Sequence, residues 1–126
     1  MTDRPNLLPP SLRERRRYLA FQILSEDKVN FSDLSNSIWH SILNLLGEKG
    51  AGEAELWLPR NIYNEIKQIG LIRCSHLHVE NIRAALALID RIGDIRVIVK
   101  VLGVSGTMKA AQAKFFEEAK LSEFVK

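Results

Sequence analysis

Cysteine is almost missing from this 126-residue chain: Cys74 stands alone. One thiol excludes an internal disulfide and cannot by itself make a zinc site. No apolar run approaches the ~18 residues of a membrane span, and the polar, proline-containing start lacks the apolar stretch of a signal peptide. A cytoplasmic protein without a membrane anchor is the expectation. Prolines number four, and three of them (Pro5, Pro9, Pro10) fall in the first twelve residues. Residues 1–12 are therefore expected to form an irregular N-terminal arm, and residues 13–126 a single α/β domain. Catalytic signatures are absent as well. The sequence has no G-x-x-x-x-G-K-[ST] for nucleotide hydrolysis. Around Ser105 it reads Gly-Val-Ser-Gly-Thr, which is not a nucleophile elbow. The carboxylates are scattered without a metal-ligand motif, and His40, His76 and His78 lack companions of the right type. Cys74 near His76 is a dyad only by proximity, so no active site is expected in this chain.

A large charge of one sign is lacking too, because the net charge is only +3. Its distribution is more informative. Residues 1–17 hold five arginines (Arg4, Arg13, Arg15, Arg16, Arg17) against two acids, whereas residues 26–55 hold two lysines against six acids. Such a chain presents an oriented surface, one end attracting phosphates and the other repelling them.

What is present is periodicity. Between Tyr18 and Leu24, the residues Leu19, Phe21 and Ile23 alternate onto one side of a strand. From Ile95 to Leu102, a second strand puts Ile95, Val97, Val99 and Val101 on one face. Arg96, Ile98, Lys100 and Leu102 fall on the other. Shorter strands are predicted at Ala54–Leu58, which Pro59 ends or confines to an edge, and at Ile69–Cys74, where Gly70 marks a bulge or a close contact. One helix starts with Asn30 or Ser32 as cap and ends at Gly47, with Leu34, Ile38, Ile42 and Leu45 as its apolar stripe. Trp39 is read as core. GEKGAGE (47–53) reads as a loop, and 61–67 as a short helical turn. A second helix runs from about Val79 to Ile92, with Gly93 as its terminator. A last helix spans Thr107 to Leu121, with Met108, Ala111, Phe115 and Ala119 on one stripe.

The order predicts an α+β, ferredoxin-like (RRM-like) βαββαβ sandwich: a four-stranded antiparallel sheet with an additional C-terminal helix. Both long helices should pack on one sheet face. The opposite face carries Tyr18, Ala20, Leu24, Ile98 and Leu102, which do not seek water, so the C-terminal helix with Phe115 and Phe116 is expected to cover it.

Two stretches suggest a binding chemistry. Arg13, Arg15, Arg16 and Arg17 place cationic forks at the entry to the first strand, suited to phosphate. Ser105, Gly106, Thr107 and Lys109 combine hydroxyl caps, glycine and a cation at a helix start, also suited to an anion. The plain readings are a solvated strand end and an ordinary helix cap. Base stacking on the open sheet is not expected. Ile69–Cys74 lacks the two aromatics that an RNA-recognition motif shows there, and Tyr18 and Phe21 face opposite ways.

Taken together, Pro9-Pro10-Ser11-Leu12-Arg13-Glu14-Arg15-Arg16-Arg17-Tyr18-Leu19-Ala20-Phe21, Ile72-Arg73-Cys74, Arg83-Ala84-Ala85-Leu86 and Gly103-Val104-Ser105-Gly106-Thr107 resemble the archaeal ribonuclease P protein component 2 family. The resemblance covers about Leu8 to Phe116. It implies a noncatalytic subunit of the ribonucleoprotein that removes 5′ leaders from precursor tRNA, with hydrolysis left to the catalytic RNA and its Mg²⁺. It further implies pairing with the barrel-shaped component 3 and self-association into a heterotetramer. Two rivals rest on the fold alone: a metabolite sensor holding a carboxylate at the Gly103–Thr107 turn, and a plain protein-assembly module.

Overall fold

The computed structural model describes residues 15–116. Strand β1 (Arg16–Ser25) leads into helix α1 (Phe31–Glu53), then a 3-10 turn (Arg60–Ile62) and strand β2 (Ile69–Ser75). Another 3-10 turn (His76–His78) opens helix α2 (Val79–Ala87). Strands β3 (Arg91–Ile92) and β4 (Ile95–Ser105) follow, then helix α3 (Met108–Ala111), which continues as a π-helical turn (Gln112–Phe116). Among the described residues no helix is long and apolar enough to cross a membrane.

The sheet order is β2-β1-β4-β3, and every pairing is antiparallel. Trp57 adds a single bridge to Arg73 on the outer edge of β2. The segment predicted as a strand at Ala54–Leu58 therefore lies where a ferredoxin-like sheet needs it, but shrinks to one bridge. Its neighbours explain why. Glu55 takes a left-handed turn (φ 51°) just before it, and Pro59 removes a ladder donor just after. The sheet regains a fourth strand at its other edge. Arg91 pairs with Arg96 and Ile92 with Ile95, leaving Gly93 and Asp94 as a two-residue hairpin loop. Gly93 has φ 62°, which a glycine-first hairpin loop requires. It turns a hairpin instead of terminating a helix, and α2 is correspondingly shorter than the predicted 79–92.

Helix α1 is capped by the first of the two candidate residues: the Asn30 side-chain oxygen accepts from the Asp33 amide at 2.9 Å. Gly47 (φ 76°) breaks it, but GEKGAGE is not a loop, because a second helical segment continues to Glu53 and buries Ala51. Leu34, Ile38 and Ile42 point inward. Trp39 does not, being 38% exposed, and Leu45 is 42% exposed. Trp39 lies off the buried line set by Leu34, Ile38 and Ile42, whereas Leu45, which is on that line, falls in the last turn before the break at Gly47.

The predicted core forms. Leu19, Phe21, Ile23, Val97 and Val99 pack against Leu34, Ile38, Ile42, Ile82, Ala85 and Leu86 on the helical side of the sheet. On the other side, Ala20 and Leu71 are covered by Ala111 and Phe115, with Tyr18, Leu102, Met108 and Phe116 around them. The described part of the C-terminal helix thus covers the Ala20, Leu71 and Leu102 part of the half-apolar face, whereas Leu24 and Ile98, also expected beneath it, stay 46% and 65% exposed. The part of it expected beyond Phe116 lies outside the described residues. One irregularity alters the alternation of β4: the register shifts between Ala20 and Phe21, which pair with Gly103 and Val101. The bulge at Leu102 returns Val104 to the core side and leaves Gly103 beneath Phe115.

Candidate nucleic-acid interface

The two cationic stretches read from the sequence meet. Strand β1 begins with Arg16 opposite Ser75 and Arg17 opposite Cys74, and Tyr18 pairs with Ser105 on the other side. The arginine entry and the Ser105–Lys109 turn come from opposite ends of the chain, yet antiparallel pairing brings both to one end of the sheet.

Each residue there has a defined setting. Arg15 is exposed, and its carbonyl accepts from the His76 amide at 2.8 Å, with His76 Nδ1 also 3.0 Å away. That pins the backbone and leaves the guanidinium in solvent. Arg16 meets Glu55 at 3.6 Å, both side chains well exposed, so the pair is weak and exchangeable. Arg17 Nη1 donates to the Arg16 carbonyl at 3.0 Å. Arg13 lies outside the described residues.

In the second stretch, Thr107 is the cap. Its Oγ1 accepts from the Ala110 amide at 3.1 Å, while its carbonyl accepts from Ala111. The Thr107 oxygen is therefore committed to the helix. Ser105 ends β4, half-buried, and Gly106, Thr107 and Lys109 are exposed. Gly103 does not cradle a metabolite carboxylate: a Cβ there would lie 2.3 Å from Phe115 Cζ, so the space the glycine leaves is filled by a ring of the same chain.

The Cys74–His76 dyad dissolves. The Cys74 thiol is fully buried in the core, and burial pushes its pKa up to about 11. A thiol held neutral in an apolar site is a poor nucleophile.

Sequence reading misses one arrangement at this sheet end. Trp57 bridges Arg73, Arg73 pairs with Tyr18, and Tyr18 pairs with Ser105. Directly opposed residues share a sheet face, so these four form one row. The Arg73 guanidinium carbon stands 4.7 Å from the centre of the Trp57 ring, and its Nε is shut away from solvent with no hydrogen-bond acceptor. Leaving such a donor unsatisfied costs about 1–3 kcal/mol. The only available signal is the arginine in the middle of an otherwise apolar strand, and nothing in the sequence links it to Trp57.

The fold and this end define a class: a ferredoxin-like α+β domain with exposed arginines and a lysine gathered at one end of its sheet. Comparison with known proteins carries this further. Residues 17–116 match the model of the Rpp14/Pop5 family, and the chain belongs to that family. It is 41% identical over 118 residues to Ribonuclease P protein component 2 of Pyrococcus furiosus, covering 94% of this chain and 97% of that protein. The protein of the same name from Methanosarcina barkeri is 41% identical over 110 residues, covering 87% of this chain and 78% of that one. A chain in the cryo-EM structure of yeast Ribonuclease MRP shares the fold, with a TM-score of 0.59 at 14% identity, over 89% of this chain and 96% of that chain.

Proposed function

We propose that this chain is a noncatalytic protein subunit of ribonuclease P, which binds and stabilises the catalytic RNA while that RNA removes 5′ leaders from precursor tRNA. The observation that carries the reading is the meeting of Arg15, Arg16 and Arg17 with the Ser105–Lys109 turn through the Tyr18–Ser105 pairing. It is supported by the name shared by relatives aligned along nearly the whole chain. Exposed Arg15 and Arg16 and half-exposed Arg17, at the start of a rigid strand, suit phosphate contacts that do not read sequence, as a subunit that stabilises folded RNA needs. Gly106, Thr107 and Lys109 extend the same surface, and Arg13, outside the described residues, is assigned the same role from its sequence position alone.

The reading assigns Mg²⁺ to the RNA, whose phosphates are hard oxygen donors. The protein partners on this reading are the barrel-shaped component 3 and a second copy of this chain, in a heterotetramer acting in the cytoplasm on precursor tRNA.

The test replaces Arg15, Arg16 and Arg17 together by alanine. Affinity for the catalytic RNA should fall, and the dependence of log affinity on log salt should flatten by about 0.7–0.9 for each phosphate no longer neutralised. In parallel, leader cleavage is reconstituted from purified RNA and proteins with this chain left out. Unchanged affinity and salt slope in the triple variant, with cleavage indifferent to the chain, would overturn the reading.

A further inference from the structure

The row Trp57–Arg73–Tyr18–Ser105 has chemistry that backbone anchoring does not use. Trp57 lies at the sheet edge and keeps 38% of its surface exposed. The Arg73 guanidinium lies against that indole, and no hydrogen bond or ion pair engages it among the described residues. A cation at a surface without a carboxylate partner calls for an anion, and a guanidinium seated over a ring offers its remaining N–H groups from a fixed position. The next row toward the end of the sheet contains Arg16 and Ser75. The row on the other side is Leu71, Ala20 and Gly103, which Phe115 and Ala111 cover. The aromatic-cationic row therefore falls between the covered apolar patch and the arginine entry.

We propose that Trp57 and Arg73, flanked by Tyr18 and Ser105, receive an unpaired nucleobase and its phosphate from a single-stranded segment of RNA. The indole supplies a stacking face that every base can use. Arg73 supplies the planar donors for the adjacent phosphate or base edge, and the arginines of β1 hold the backbone on either side. This rests on the sheet end being an RNA contact and gives that contact a class of substrate: unpaired nucleotides, rather than duplex. An RNA helix, whose bases are stacked inside, would meet the arginines and pass over the tryptophan.

The test uses the full chain carrying W39F, which leaves Trp57 as the only tryptophan, titrated with oligouridylate and separately with a blunt RNA duplex of equal phosphate count. Oligouridylate should quench Trp57 fluorescence and the duplex should not. W57L, which keeps apolar bulk beneath Arg73 but removes the ring, should lower oligouridylate affinity about tenfold and leave duplex affinity unchanged. W57F should restore most of the loss, a rescue that a purely structural stack would not give selectively. Quenching of Trp57 in the unaltered row needs no row variant, so poor folding of W57L would not spare the proposal. Oligouridylate binding that is abolished by the Arg15, Arg16, Arg17 triple variant but neither quenches Trp57 nor responds to W57L would overturn the stacking site. The phosphate-contact reading would then stand. Failure of both RNAs to bind at low salt would remove both.

Discussion

The two faces of the sheet are built to different standards. On the helical side, Leu19, Phe21, Ile23, Ile72, Cys74, Val97 and Val99 are buried against two helices in one large cluster. On the other side the buried cluster is small, Ala20, Leu71, Ala111 and Phe115, held by the short α3 and the π turn after it, with Ile69 and Ser75 buried beside it on β2. Further along that second face Leu24 is 46% and Ile98 65% exposed, although the two residues pair. Buried apolar area sets stability, so the first face carries the fold. The second face carries the surface: Trp57, Arg73 and Tyr18 lie on it, and the arginine entry adjoins it.

Breaking one ring on each face gives the sharpest contrast. Phe21→Ala empties a fully buried site and should cost about 3–5 kcal/mol, enough to endanger a domain of ordinary stability. Phe115→Ala should cost less, about 2 kcal/mol, and act locally. Hydrogen exchange should show weaker protection from Met108 to Phe116 while β1 stays protected, a sub-global opening confined to the thin face. Equal losses along both segments would mean that the two clusters melt as one.

Proton linkage should separate the faces next. Burial raises Cys74 to about 11, and burial together with the Glu65 carboxylate raises Tyr63 to about 12; both side chains belong to the helical-side cluster. For each, the neutral form is favoured in the folded state. The unfolded chain therefore loses its proton first as pH rises. The Cys74 contribution is complete below about pH 9 and disappears as pH climbs toward 11, up to about 2–3 kcal/mol. Tyr63 repeats the pattern between about 10 and 12. Urea melts from pH 8 to 11 should show stability falling, and Cys74→Ala should flatten the decline below pH 10. A slope unaltered by that substitution would assign the loss elsewhere.

The same contrast shows what the sequence can reveal. Alternation in β1 and β4 and the Leu34, Ile38, Ile42 line are strong periodic signals, because burial against two helices forces them. The arginine cluster and the Ser105–Lys109 turn are each legible. Their meeting follows from the strand order, since antiparallel pairing joins the start of β1 to the end of β4. Three features leave no periodic trace. Arg91–Ile92 pairs over only two residues and continues the spacing of the preceding helix, so it reads as helix. The Trp57 segment makes one bridge, too short to alternate. Gln68 is buried with φ 56°, its side chain donating to the Ile23 carbonyl and accepting from the Val29 amide. It clamps two loops through bonds between distant segments. Such contacts depend on where the chain returns, which local patterns do not encode.

The smallest expected effect tests how firmly the thin face is closed. A Cβ on Gly103 would lie 2.3 Å from Phe115 Cζ, and one on Gly70 would lie 2.5 Å from Phe21 Cζ and 3.0 Å from Tyr63 Cδ1. In both places a ring occupies the volume that the glycine leaves, but the rings differ in freedom. Phe21 is locked between β2 and the helices, so Gly70→Ala must displace core. Phe115 belongs to a short helical end that can lift, so Gly103→Ala should cost only about 1 kcal/mol, at the low end of the usual range for overpacking. If the clash with Phe115 is the whole cause, Gly103→Ala added to Phe115→Ala should cost almost nothing more, and the cycle should show a coupling close to the single cost. Additive losses would place the need for glycine in the bulged backbone of β4, and the thin face would then be closed by strand geometry as much as by the ring above it.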